Sequence, residues 1–233
     1  MGVTVLHPYA IPEGKTGSQA MEQLTKRLAA LGAIHSGQFI VDCETYILPQ
    51  SLKSVNVLHN SEYPASTFSI LDNGTKQIPL VADHLFDLLW MKITSSHFSK
   101  KQTIVESKGS RFVYGDFLIK LGNVTMMENF KGILIEVEYR PCLVPCNCWE
   151  IIRELLQGFL GQNIPANIPS YFTQPVGGNM NLMNVHPGQN VMQKQNEIYQ
   201  PIDTICQYLE HFNNFRKQTS MSNMHMGQNT LRM

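Results

Sequence analysis

The sequence predicts an α+β chain: an antiparallel β-barrel of about eight or nine strands flanked by helices. Three observations predict it. About nine short segments carry period-two or continuous apolar runs. Most of them follow one another directly, as hairpins do, so the strand–helix alternation of a parallel sheet is missing. Helical patterns occur only after the first strand, in the middle and toward the end, which leaves a closed or nearly closed sheet as the best use of so many strands.

The first strand covers 2–8, where Val3 and Val5 alternate with Thr4 and Leu6. A helix follows near Ser18; Met21, Leu24, Leu28 and Leu31 lie on one face of a 3.6 period, and Gly32 is its stop. Period two returns over 37–48, with Phe39, Val41, Cys43 and Ile47 on one side. Val55, Val57 and His59 mark a strand at 54–60. Strands at 66–71 and 77–81 flank Asp72-Asn73-Gly74-Thr75, a hairpin turn by its Asn-Gly pair. Asp83 then caps a helix reaching about Ile93 that buries Phe86, Leu89 and Ile93. Strands are expected at 103–107, 111–121, 124–127 and 132–140. Pro141 and Pro145 end the sheet, and Asn147 with Glu150 starts a helix that Gly161 ends.

Residues 1–161 thus read as a β-barrel domain with flanking helices. Residues 162–200 change character: they are rich in Asn, Gln, Pro, Gly and Met, and only Lys194 and Glu197 are charged. Such a stretch buries too little to offset its ordering entropy and reads as a flexible linker. Pro201 opens a last helix over 201–218, with the stripe Ile202, Ile205, Leu209, Phe212 and Phe215, packing back on the barrel. The tail 219–233 is expected to be disordered.

Composition narrows the function. The 233 residues hold 18 Lys+Arg and 18 Asp+Glu, so the formal net charge is zero. Charged residues are 15%, against a usual fraction of about 25%. Such a surface does not gather phosphates or anionic lipid headgroups, so neither direct nucleic-acid binding nor membrane attachment is expected. Weak self-repulsion instead suits a subunit of something larger. Residues 1–10 lack a signal-peptide apolar run. The five cysteines then read as reduced thiols.

Chemistry-bearing patterns are few. Neither a phosphate-cradling glycine loop nor a G-x-S-x-G elbow occurs. Asp42, His59 and Ser61 could be drawn as a triad, but no spacing requires them to meet. Cys142, Cys146 and Cys148 fall one ligand short of a structural zinc site. They read as small buried thiols at a helix start, with a low-pKa thiol as the sharper alternative. Glu136-x-Glu138-x-Arg140 places two carboxylates on one strand face, as in the E-x-E-x-K motif of tunnel-type triphosphatases. That is the alternative function: a metal-dependent triphosphatase using Glu136 and Glu138. Against it, Ile133, Ile135, Val137 and Tyr139 on the other face make the better barrel interior, which turns the glutamates outward, and no second E-x-E occurs. No cofactor is implied. A surface mixing apolar and aromatic groups with a few charges has the composition of a protein interface. The alternation makes Phe112, Tyr114, Leu118, Leu134, Ile40 and Tyr46 its candidates, with cover by the protein's own helices as the competing reading.

A family resemblance is spread along the chain, outside 162–200 and 219–233. It rests on Met1-Gly2-Val3-Thr4, on Val41-Asp42-Cys43-Glu44-Thr45-Tyr46 and on His59-Asn60-Ser61-Glu62-Tyr63-Pro64. It continues through Asp116-Phe117-Leu118-Ile119-Lys120-Leu121-Gly122 and Val137-Glu138-Tyr139, then Cys148-Trp149 and Phe159-Leu160-Gly161. It ends on Gln207-Tyr208, Phe212-Asn213 and Arg216-Lys217-Gln218. Together these resemble the Mediator subunit 20 family, over about 1–161 and 201–218. The resemblance implies a nuclear, non-enzymatic subunit of the Mediator head, supporting regulated transcription by RNA polymerase II. It implies a heterodimer with the similarly folded subunit 18, proximity to subunit 8, and a contact with TATA-binding protein or a related factor.

Overall fold

The structure, a computed structural model, describes residues 2–47, 53–97, 100–101, 103–161, 164–173 and 198–229. In chain order the elements are β1 (Val3–Tyr9), α1 (Gly17–Ala30), β2 (Ile34–Ile47), β3 (Ser54–Asn60), β4 (Ser66–Asp72), β5 (Gln77–Asp83), α2 (Phe86–His97) and β6 (Lys100–Lys101). There follow β7 (Val105–Tyr114), β8 (Phe117–Met126), β9 (Asn129–Tyr139), α3 (Trp149–Leu160), α4 (Ser170–Thr173) and α5 (Pro201–Asn229). All strand pairs are antiparallel, in the order β1-β9-β8-β7-β2-β3-β4-β5, with short β6 against β2. No described helix is long and apolar enough to cross a membrane.

The sheet curls but does not close; β1 and β5 are its two edges. The curl follows from what it holds. One side of α5 packs into a single cluster with residues of β1, β9, β8, β7, β2, β3 and β4. Seven strands laid flat would span roughly 29 Å, nearly three helix diameters. One helix can touch all of them only if the sheet wraps around it. Ile205, Tyr208, Leu209 and Phe212 therefore sit at 1% exposure or less, among Phe39, Val41, Leu58, Phe68, Ile70 and Leu134.

The opposite, convex face carries a second core. Val3, Val5, Ile119, Leu121, Ile133, Ile135 and Val137 pack there against Ala20, Leu24 and Leu28 of α1 and Trp149, Ile152, Leu156 and Phe159 of α3. The apolar face of β9 is thus covered by external helices and is not the interior. Glu136 turns inward, at 3% exposure, the reverse of the outward placement expected from the sequence. A helix-covered convex face needs as apolar a surface as a barrel lumen does, so alternation alone does not tell inside from outside.

Local chemistry explains the elements. Thr16 and Gln19 form a reciprocal capping box at α1. Its buried stripe is Ala20, Leu24 and Leu28, while Leu31 is 41% exposed. Arg27 Nη1 donates to the Phe159 and Leu160 carbonyls at 3.0 and 2.7 Å, satisfying orphan acceptors at the end of α3. The N-cap of α3 is Cys148, one residue after the expected Asn147, and no side chain caps it. In the β4–β5 turn, Asn73 Oδ1 accepts from the Thr75 and Lys76 amides.

The strands between 103 and 140 are cut differently from expectation. The turn falls at Gly115-Asp116, where Gly115 has φ +54°, so the expected strand 111–121 is two strands. Gly109 and Gly122 do not mark strand ends; they are register partners inside β7 and β8. A Cβ on Gly109 would lie 1.9 Å from the Leu121 carbonyl oxygen. These glycines serve close approach between strands and fall in the gaps between the expected strands 103–107, 111–121 and 124–127.

The expected linker 162–200 is packed at both ends of what is described. Ile164, Phe172 and Tyr199 belong to the convex-face core. Trp149 Nε1 donates to the Ala166 carbonyl at 3.0 Å, and the Phe172 and Tyr199 rings lie 6.1 Å apart. Residues 162–163 and 174–197 lie outside the described residues. The last helix runs past its expected end at Gln218 to Asn229; the last residues of the expected tail, 230–233, lie outside the described residues.

Candidate functional site

The glutamate pair singled out from sequence lies on β9 and faces the concave interior. Glu136 Oε1 accepts from Lys120 Nζ at 2.9 Å, and Glu136 Oε2 accepts from the Tyr208 hydroxyl at 2.5 Å. Lys120 is 2% exposed and its register partner is Glu136, so the pair is a directly opposed cross-strand ion pair. Glu62 Oε1 lies 4.0 Å from Lys120 Nζ and is held by Arg111 Nη1 at 2.8 Å. Glu138 accepts from the Gly2 amide at 2.6 Å. Burial drives the Tyr208 hydroxyl well above its ordinary pKa, with the Glu136 carboxylate adding to it, so Tyr208 remains a donor.

A triphosphatase tunnel needs an open lumen with free carboxylates to hold a metal. Here α5 fills the lumen, and both Glu136 oxygens are engaged by protein donors. Among the described residues no group of three His, Cys, Asp or Glu side chains is arranged to hold a metal ion. The network matches its buried charges to each other rather than offering them to a ligand.

Gln207, one residue before Tyr208, does a different job. Its Oε1 accepts from the Leu6 amide at 2.9 Å and its Nε2 donates to the Thr4 carbonyl at 2.9 Å. The amide stands in for a neighbouring strand along the open edge of β1. The Tyr199 hydroxyl adds a bond to the same Thr4 carbonyl at 3.1 Å. Sequence reasoning missed this role; the signal was the Gln207-Tyr208 pair inside an otherwise apolar helical stripe.

The remaining sequence candidates separate clearly. Asp42 does meet His59, at 3.1 Å, but Ser61 accepts from the Ile40 amide instead, and the second His59 nitrogen faces Asp87 of α2 at 3.2 Å. This is a clasp of α2 to β3, not a triad. The Cys148 thiol is pushed up to about 12 by burial and by its thiol neighbours Cys142 and Cys146, opposite to the activated-thiol alternative.

Of the interface candidates, Phe112 is 4% exposed in the convex-face core and Leu134 is 1% exposed against α5. Leu118 is buried and Tyr114 packs against the convex-face core. Tyr46 meets the Trp90 ring edge-on at 5.5 Å. Ile40 alone of the six is exposed. The six do not form one patch, because the turn at Gly115-Asp116 puts Phe112 and Leu118 on opposite faces.

Among the described residues, two histidines carry shifts that span neutral pH. Asp42 foremost, with Asp87, raises His59 to about 9. Its contribution is complete below the unfolded value near 6.5 and is lost as pH rises toward 9. Burial lowers His211 to about 4, opposed in part by a hydrogen bond to the Leu6 backbone and helped by His7. Its contribution is present above 6.5 and is lost as pH falls toward 4. Stability should peak near pH 6.5. The acid limb should lose on the order of 3 kcal/mol by pH 4; the His59 limb, being solvent-screened, about 1 kcal/mol or less. Urea titrations from pH 4 to 9 check this, and His211→Gln should flatten the acid limb only.

Comparison with known proteins matches this architecture to one family. The family model described as "TATA-binding related factor (TRF) of subunit 20 of Mediator complex" matches residues 1–213. The Anopheles gambiae protein named Mediator of RNA polymerase II transcription subunit 20 is 61% identical over 222 residues, 94% of this chain and 96% of its own. The Homo sapiens protein of the same name is 40% identical over 226 residues, again 94% and 96%. A chain in the Schizosaccharomyces pombe Mediator head module overlaps 67% of this chain and 94% of its own, with a TM-score of 0.35 and 9% identity, too distant to argue from. With near-complete coverage in both directions and the matched span reaching into α5, the helix that fills the sheet, the chain belongs to the Mediator subunit 20 family.

Proposed function

We propose that the chain is a non-enzymatic scaffold subunit of the Mediator head in the nucleus, supporting regulated transcription by RNA polymerase II. The carrying observation is the lumen filled by α5: a fold that could house a reaction instead spends its interior on packing and a self-satisfied ion network. Its partners on this reading are subunit 18, as a heterodimer, and subunit 8, with a contact to TATA-binding protein or a related factor. Affinity purification of the tagged chain from nuclear extract, read by mass spectrometry, should return the Mediator head with subunits 18 and 8 at near-equal amounts. Recovery without any Mediator subunit would overturn the proposal. So would Mg²⁺- or Mn²⁺-dependent triphosphate hydrolysis lost in Glu136→Ala.

The segment 174–197 serves on the same reading as a spacer. Its flanking residues Phe172 and Tyr199 are already neighbours. Replacing 174–197 by about six Gly and Ser residues shortens the loop by two halvings, worth about 1.2 kcal/mol of closure entropy. The melting temperature should stay level or rise by up to about 4 °C. A fall of more than about 5 °C would show that the segment packs.

A further inference from the structure

The two edges of the sheet are treated differently. At β1 the outward backbone groups of Thr4 and Leu6 are bonded by Gln207 and Tyr199. The other edge, β5, keeps Ile78 at 36% and Leu80 at 51% exposure. Their register partners Leu71 and Ser69 put them on the convex side, because Phe68 and Ile70 of the same strand point toward α5.

Helix α2 crosses that same side. Asp87 touches His59 of β3 and Thr67 of β4, and Trp90 lies against Tyr46 of β2. Its outer surface holds Leu88, Leu89 and Met91, with Leu85 just before it, at 53–60% exposure. The sequence reads Leu89 as core, and the fold does not bury it. With Ile78 and Leu80, on the same convex side, these side chains expose on the order of 600 Å² of mostly apolar surface, the upper end of the largest patches that monomers carry, which are often functional.

The chemistry selects the occupant. Pro79 lies in the middle of β5, at an edge position where its missing N–H breaks the outward row of donors. A strand cannot zip along this edge without losing a bond. Leu85, Leu88 and Leu89 instead stand at i, i+3 and i+4, ridges that receive the grooves of another helix. Exposed Asp83 and His84 lie at the start of the surface, and exposed Lys92 lies farther along α2.

We propose that α2 and β5 together dock an amphipathic helix of another Mediator subunit. That helix carries apolar residues at i, i+3, i+4 and i+7 and a basic residue toward Asp83. The inference rests on the chain's place in the assembly proposed above.

The test uses the intact complex. Leu88→p-benzoylphenylalanine, placed in the full chain within purified Mediator, should crosslink to one peptide of another subunit with that helical spacing. Leu88→Asp combined with Leu89→Asp should melt within about 2 °C of the unmodified chain in isolation, since both side chains are exposed. In the purified complex it should reduce recovery of the crosslinked subunit at least tenfold. An adduct to a second copy of this chain, to its own residues 174–197, or to a peptide without the spacing overturns the proposal. So does full recovery of every subunit with the double variant. If the unmodified chain does not enter Mediator, the assembly reading fails with it. If the unmodified chain enters and the double variant enters equally, only this surface fails.

Discussion

A chain truncated after Gln200 is expected to lose its cooperative fold. Removing α5 uncovers the whole concave face, including Phe39, Val41, Leu58, Phe68, Ile70 and Leu134. It also deletes Ile205, Tyr208, Leu209 and Phe212, all at 1% exposure or less. At about 1.5–3 kcal/mol per buried apolar side chain, the six uncovered strand residues alone account for roughly 9–18 kcal/mol, as much as the full stability of an ordinary domain. The β1 edge would lose its Gln207 partner as well, leaving unpaired backbone groups that invite aggregation. The expected product is insoluble, or soluble without near-ultraviolet circular dichroism and without a sigmoidal urea transition. A truncated chain that melts cooperatively within about 5 °C of the full chain would show that the sheet does not depend on α5.

Glu136→Leu is expected to cost about 3–5 kcal/mol. It strands Lys120, 2% exposed, with Glu62 at 4.0 Å as its nearest remaining carboxylate, and it takes the acceptor from the Tyr208 hydroxyl. Lys120→Met paired with Glu136→Leu should recover more than half of that loss, because two charges leave the interior together and similar volumes fill the space. Chemical denaturation of the two singles and the double closes the cycle. A coupling below about 0.5 kcal/mol would mean that the pair acts as two independent groups. The apolar pair should still fold, with the Tyr208 hydroxyl as its remaining unsatisfied group.

Much of this protein was determined locally. The α1 capping box, the Asn73 turn, the helices at 17–30, 149–160 and from 201, and the strands at 3–9, 54–60, 66–72 and 77–83 follow from periodicity and turn chemistry within a few residues. The long pattern of family residues identified the chain without any fold at all. Tertiary structure decided what local pattern cannot encode. Gly109 and Gly122 look like strand ends, yet they are there because two backbones approach too closely for a Cβ. Ile133, Ile135 and Val137 look like a lumen, yet α1 and α3 cover them from outside, since any face buried against anything reads as apolar. Glu136 looks like a surface or catalytic acid. It is instead buried in an ion network, because its partners Lys120 and Tyr208 arrive from β8 and from a helix 72 residues farther along the chain. Alternation along a strand determines which residues share a face. Which face looks inward depends on which element, however distant in sequence, comes to cover it.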